Sequence, residues 1–221
     1  MLKNWSAALF CFVASVAFGQ RTVSVQATVA PTLVRTNYNR TYLYPESDGQ
    51  IVEPILLVGT VNTIGYSAGV TAHYTYAPGW SVAAGVWYSQ VSLRQARPVA
   101  AGEGTTAVRG RTVRLPLLLN YQSSTRRLSP YFSLGLLLDF PMTSRVVVTR
   151  SGQPTQHLRL GVDKGPVFQP MLGAGGRYQL SHRCAVTVQP VWSYNLGRFG
   201  GSQTYTSSYE VSVLTQLTYS W

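Results

Sequence analysis

The sequence predicts an all-β fold, an eight-stranded antiparallel up-and-down transmembrane β-barrel, and three observations carry that prediction. Apolar and polar residues alternate with period two in eight segments. The connections between those segments alternate between short and long. Aromatic residues gather at both ends of the apolar faces. The last segment, VSVLTQLTYSW (Val211 to Trp221), shows the first feature most plainly: Val211, Val213, Thr215, Leu217, Tyr219 and Trp221 share one face. A strand needs this alternation where its two faces meet different surroundings, here lipid outside and a packed polar lumen inside.

Taken in order, the chain opens with a secretory signal, residues 1–19. Lys3 gives the positive start, Trp5 to Phe18 is an apolar stretch of about 14 residues, and Ala17-Phe18-Gly19 is a small-x-small cleavage site. The mature barrel domain is expected to run from Gln20 to Trp221. A spanning helix takes about 20 apolar residues, and no segment has them. Any insertion therefore uses strands. Cleavage also removes Cys11, so Cys184 is the only thiol left and no intramolecular disulfide forms.

The eight expected strands are Thr22–Arg35, Gly65–Tyr76, Trp80–Gln90, Arg111–Gln122, Pro130–Phe140, Val167–Leu180, Ala185–Leu196 and Ser208–Trp221. Ala77-Pro78-Gly79, Ser123–Ser129 and Ser181–Arg183 join them as short turns. Thr36–Ile64, Val91–Gly110, Pro141–Pro166 and Gly197–Ser207 are long loops. Short periplasmic turns on one rim and long external loops on the other are the arrangement of bacterial outer-membrane barrels. An even strand number leaves both termini periplasmic.

Each strand separates into two faces. In the second, Tyr66, Ala68, Val70, Ala72, Tyr74 and Tyr76 oppose Gly65, Ser67, Gly69, Thr71, His73 and Thr75. In the fourth, Val113, Leu115, Leu117, Leu119 and Tyr121 oppose Arg114, Pro116, Leu118, Asn120 and Gln122. A secreted lipocalin-like barrel has the same period with its faces exchanged. The girdles decide for a membrane. Tyr76, Trp80, Tyr121, Phe132, Tyr178, Tyr219 and Trp221 fall at the turn rim, and Tyr66, Tyr88, Phe140, Phe168, Trp192, Tyr194 and Tyr209 at the loop rim. Amphipathic rings favour the two bilayer interfaces. The opposite faces, rich in Gly, Ser, Thr, Asn and Gln, suit a narrow lumen.

The segments YTYAPGWSVAAGVWYSQ, VRLPLLLNY leading by a short turn into SPYFSLGLLLDF, and the terminal TQLTYSW together resemble the PorT-type outer-membrane β-barrels, a family of small eight-stranded, porin-like domains. The resemblance implies the architecture and, from the porin-like label, passage of solutes. Eight strands, however, enclose a lumen that side chains fill. Inward Trp87, Leu118, Leu137, Met171 and Leu214 predict a plugged interior.

The ionisable residues well inside the strands, His73, Arg114, Asp139, Arg177 and Glu210, all fall on the polar face. Unpaired buried charge is costly, so Arg114 and Arg177 are expected to pair with Asp139 and Glu210 or with backbone carbonyls. Such a set is a structural network stiffening the barrel, a proton or ion relay, or a substrate anchor. Hydrolases and acyltransferases of lipid A need a serine, a histidine and a carboxylate near the outer rim. His73 lies toward the turn rim, His157 in a long loop and His182 in a tight turn, so the expectation is a non-enzyme. No cofactor or metal set is implied, because one cysteine and three scattered histidines lack ligand spacing. Gly173–Gly176 (GAGG) reads as strand, since no helix follows it as a phosphate loop requires.

Lysine and arginine number 18 against 7 acids, for a net charge of +11. The signal sequence argues against nucleic acid, and no basic run is interleaved with aromatics. Basic residues of the long loops, Arg94, Arg97, Arg109, Arg111, Arg145, Arg150 and Arg159, either grip lipopolysaccharide phosphates or form a generally solvated basic surface. The expected partners are thus outer-membrane lipid and lipopolysaccharide, with the barrel monomeric in the outer membrane of a Gram-negative cell.

Overall fold

The computed structural model describes residues 22–43, 45–46, 55–96, 104–150, 152, 154–160, 165–197 and 205–220. The expected signal segment lies outside them. All regular structure among these residues is strand: β1 (Thr22–Leu43), β2 (Pro45–Glu46), β3 (Ile55–Ala77), β4 (Trp80–Ala96), β5 (Gly104–Gln122), β6 (Leu128–Arg150), β7 (Gln156–Leu160), β8 (Val167–Gln179), β9 (Cys184–Tyr194) and β10 (Tyr205–Ser220). Eight of them close a ring, β1-β3-β4-β5-β6-β8-β9-β10, with every neighbour antiparallel and β10 returning to β1.

The ladder gives the shape of that ring. Ser24 lies opposite His73, and the same row continues through Ala83, Leu118, Gly135, Met171, Ser193 and Glu210. It returns to β1 at Val34, ten residues beyond its start. With about 3.3 Å per residue and about 4.7 Å between strands, that stagger sets a tilt of about 41° and a backbone radius of about 8 Å. Side chains fill so narrow a tube.

Burial runs inside out relative to a soluble barrel. Gln26, Thr28, Thr71, Asn120, Thr187, Gln189 and Gln216 are buried, whereas Val29, Val70, Val86, Leu134, Leu172 and Leu217 are more than half exposed. The wall is apolar and the interior polar, as a bilayer demands. The girdles expected at the two rims face outward on that wall. At the turn rim Trp80 meets Tyr121 with rings tilted at 4.7 Å between centroids and Tyr121 stacks on Phe132 at 6.5 Å; at the loop rim Trp192 stacks on Tyr194 at 6.2 Å. Trp221 lies outside the described residues.

The tight turn between β3 and β4 depends on Gly79. Its φ is +77°, and an added Cβ would sit 2.5 Å from the Gln122 carbonyl oxygen. Gly69 serves a different purpose. It faces Trp87 across the ladder, and a Cβ there would lie 2.3 Å from the Val86 carbonyl oxygen and 2.5 Å from Trp87. The missing side chain lets the indole lie down into the lumen. The GAGG segment is strand, part of β8, as its sequence context predicts.

The long connections differ from expectation. Much of Thr36–Ile64, Val91–Gly110 and Pro141–Pro166 is strand, because β1, β3, β4, β5 and β6 run on past the wall. Strands of 22 and 23 residues at this tilt rise about 55 Å, against an apolar band of about 25 Å. On the loop side β6 leaves β8 and pairs with β7, and β7 pairs with β2, which follows directly on β1. Val146, Val148 and Leu158, with Val108 against them, form a small core inside this extension.

Candidate functional site

The lumen is layered, and the turn lengths explain the layering. The β5–β6 hairpin sets Gln122 opposite Tyr131, so eight residues further along Arg114 stands opposite Asp139. Glu210 comes from β10, on the far side of the ring, and reaches the same guanidinium across the narrow tube. Arg114 donates from Nε to Asp139 Oδ1 at 2.7 Å and from Nη2 to Oδ2 at 2.9 Å. It donates from Nη1 to Glu210 Oε1 at 2.7 Å and from Nη2 to Oε2 at 2.9 Å. Gln169 Nε2 adds a further bond to Asp139 Oδ2 at 2.9 Å. Arg114, Asp139 and Glu210 are 3%, 6% and 7% exposed. Two forks on one guanidinium meet the condition under which buried charge is tolerated. A polar cavity of about 130 Å³ sits against this cluster, reaching Asn195 and Ser208 toward the loop rim.

Beneath it lies an apolar septum. Ala30, Ala83, Trp87, Leu118, Leu137, Met171, Val191 and Leu214 form one buried cluster. It contains all five residues expected to plug the interior. The gap among Trp87, Leu137, Met171 and Leu214 leaves no room for a water molecule. The Trp87 indole N–H is satisfied by Thr71 Oγ1 at 2.9 Å, so the plug carries no orphaned donor of its own.

The turn-side half is a chain of amides and hydroxyls. His73 Nε2 bonds Gln26 Oε1, and Gln26 Nε2 donates to Thr218 Oγ1 at 3.2 Å. Ser133 Oγ is 2.7 Å from Asn120 Oδ1 and 3.1 Å from Gln189 Oε1. Gln189 then donates to Gln216 at 3.5 Å and Gln216 to Thr28 at 3.4 Å. Uncharged groups bonded between strands brace the ring with little desolvation of charge.

The five ionisable residues therefore do not converge. Arg114, Asp139 and Glu210 meet above the septum, and His73 and Arg177 lie below it. Arg177 also departs from its expected pairing: both lumen carboxylates are taken by Arg114. Ser129 and Thr187 stand opposite Arg177 on the neighbouring strands. Sequence reading did not single out Tyr131 or the glutamines. Their signal was present, since every one falls on the inward parity of its strand.

On the outer surface the register assembles what the sequence scattered. Arg109, Arg145 and Arg159 stand side by side on β5, β6 and β7, and Glu46 follows opposite Arg159 on β2. Arg94, Arg109, Arg145 and Arg159 are exposed, and Arg111 is half-buried. Arg109 and Arg111 share the parity of Val113, which faces the girdle residues Tyr88 and Phe140. The three-arginine row thus lies on the outward face, about 10 Å above the loop-rim girdle along the barrel axis. Arg97 and the side chain of Arg150 lie outside the described residues.

The closed ladder, the apolar outer wall and the polar lumen define a small transmembrane β-barrel. No protein-family model matches the chain, and no curated protein matches it. Among solved structures it is similar to Neisserial surface protein A, at 13% identity over 91% of this chain and 99% of that one, with a TM-score of 0.48. It is also similar to OprG from Pseudomonas aeruginosa, at 12% identity over 89% and 95%, with a TM-score of 0.41. Ail of Yersinia pestis, in complex with the heparin analogue sucrose octasulfate, matches at 11% identity over 92% and 100%, with a TM-score of 0.39.

Proposed function

We propose that this chain is a non-enzymatic outer-membrane barrel of structural or surface-interaction role, whose basic outer flank binds lipopolysaccharide phosphates. The row Arg109-Arg145-Arg159 carries the reading. Like charges directly opposite on adjacent strands repel, by about 0.2–1 kcal/mol per pair. An anion bridging them reverses that sign, and guanidinium forks suit phosphate oxygens. The height of the row, just beyond the aromatic girdle, is where outer-leaflet phosphates lie. A monomer with its termini periplasmic and its signal segment removed completes the proposal.

The plugged lumen favours this role over transport. His73, bonded to Gln26 and paired with no acid among the described residues, favours it over chemistry on lipid A. The PorT-type resemblance of the hairpin segments fits the same barrel, and it keeps a secretion-accessory role as the second reading.

The test is lipopolysaccharide retained by protein purified from membranes. The triple variant R109Q/R145Q/R159Q is expected to retain about tenfold less than wild type, while R126Q/R183Q at the opposite rim retains the wild-type amount. Equal retention by both variants overturns the proposal. Mass analysis of lipid A with and without the protein should show the same acylation and phosphorylation. A changed pattern establishes an enzyme.

A further inference from the structure

The acidic residues among those described, Glu46, Asp139 and Glu210, stand on the loop side of the septum. None is in the turn-side half of the wall. Arg177 nonetheless faces the lumen there, with its neighbour Tyr178 pointing outward under the Arg127 guanidinium. Above the septum two carboxylates share one guanidinium; below it a guanidinium has no carboxylate among the described residues. Gln169, which touches Asp139, is eight residues up the same strand, about 26 Å away along β8. That excess of negative charge is too distant to serve Arg177 as a counter-ion.

A second observation comes from the groups around it. The hydroxyls of Thr187 and Tyr131 are buried, at 0% and 2% exposure, and neither makes a hydrogen bond of standard geometry, although Ser81 approaches Tyr131. Thr187 is directly opposite Arg177 on β9. Tyr131 is its diagonal neighbour on β6, within reach of long side chains. His73 also lies within electrostatic range of Arg177 from across the lumen. Buried hydroxyls without partners are uncommon and call for an occupant. Beside an unmatched cation, that occupant is an acceptor of negative charge.

We propose that the turn-side half of the lumen holds one small inorganic anion of chloride size, bound by the Arg177 guanidinium and the Tyr131 and Thr187 hydroxyls. Each group donates, so a single acceptor satisfies all three. The ion enters from the turn rim, where Arg177 is partly open, and goes no further, because the septum closes the tube. It gives Arg177 the counter-charge that the carboxylates give Arg114 above. This site is independent of the outer arginine row.

The test uses the folded full chain in zwitterionic micelles, with sodium bromide titrated against sodium gluconate at constant ionic strength. The expected result is a saturable rise in unfolding midpoint and broadening of the bromide NMR line. Both should be lost in Arg177→Gln and weakened at least fivefold in Tyr131→Phe and Thr187→Val. R109Q/R145Q/R159Q should keep both, which separates the lumen site from ions on the surface. A wild-type midpoint indifferent to bromide means that water alone fills the site, and overturns the proposal. So does an undiminished response in Arg177→Gln. Should that variant fail to fold, unchanged broadening in Tyr131→Phe and Thr187→Val is equally decisive.

Discussion

Replacing Arg114 by methionine keeps most of its side-chain volume and removes the one cation between Asp139 and Glu210. The four bonds it makes, at 2.7 to 2.9 Å, are charge-assisted, and all three residues are more than nine-tenths buried. Loss of one partner from such a group leaves the others charged and desolvated, which costs about 3–5 kcal/mol. Here two carboxylates are left behind, so the upper end of that range applies. The triple variant R114M/D139N/E210Q removes every charge together and should return to within about 1.5 kcal/mol of wild type, because uncharged groups of matching volume pack tolerably where an ion pair stood. Reversible urea unfolding in lipid vesicles, followed by tryptophan fluorescence, measures both. A single variant that loses less than about 1 kcal/mol, or a triple variant as unstable as the single one, refutes the reasoning that this cluster is desolvated and mutually dependent.

Two further outcomes follow from the lumen. Trp87→Ala empties the largest buried side chain of the septum and should cost about 3–5 kcal/mol. It should also admit a small sugar in a liposome-swelling assay in which wild type stays at the lipid background; sugar flux through wild type itself would show that the septum does not close the tube. Gly69→Ala places a Cβ against backbone that cannot yield and should cost about 1–3 kcal/mol, read as a lower temperature for the heat-induced shift in gel mobility. An unchanged transition temperature contradicts the close approach of β3 and β4.

Period-two alternation made the wall legible from sequence because the two faces of a spanning strand meet opposite solvents. Val113 and Arg114, or Leu217 and Thr218, declare their sides by parity alone. The same logic fails above the bilayer. At Asn37 and Asn39 the outward face meets water in place of lipid, so no apolar face marks the strand and the chain reads as loop while its backbone stays in the ladder. Val146 and Val148 do alternate with Arg145 and Val147, but four residues are too few to stand out between polar neighbours. Within the lumen, parity places a residue on the inner face and says nothing of its height. The turn between Gln122 and Tyr131 implies the pairing of Arg114 with Asp139 once its length is counted. Glu210 requires the stagger of the whole ring, which no local segment contains. For Arg177 the sequence offers a carboxylate or a backbone carbonyl as partner, and charge counted over the entire lumen hides that the septum divides it into two separate halves.

The seam between β1 and β10 joins Ser24 to Ser220 and Tyr38 to Tyr205. Closing a chain loop of that length costs about 5 kcal/mol in configurational entropy, and nothing shorter than the entire wall can make the contact. Until it forms, two strand edges carry unpaired N–H and C=O groups, each costing several kcal/mol in hydrocarbon. Entry into lipid and the meeting of the first and last strands are therefore one event for this protein: a wall missing its final strand has no stable resting place in the bilayer.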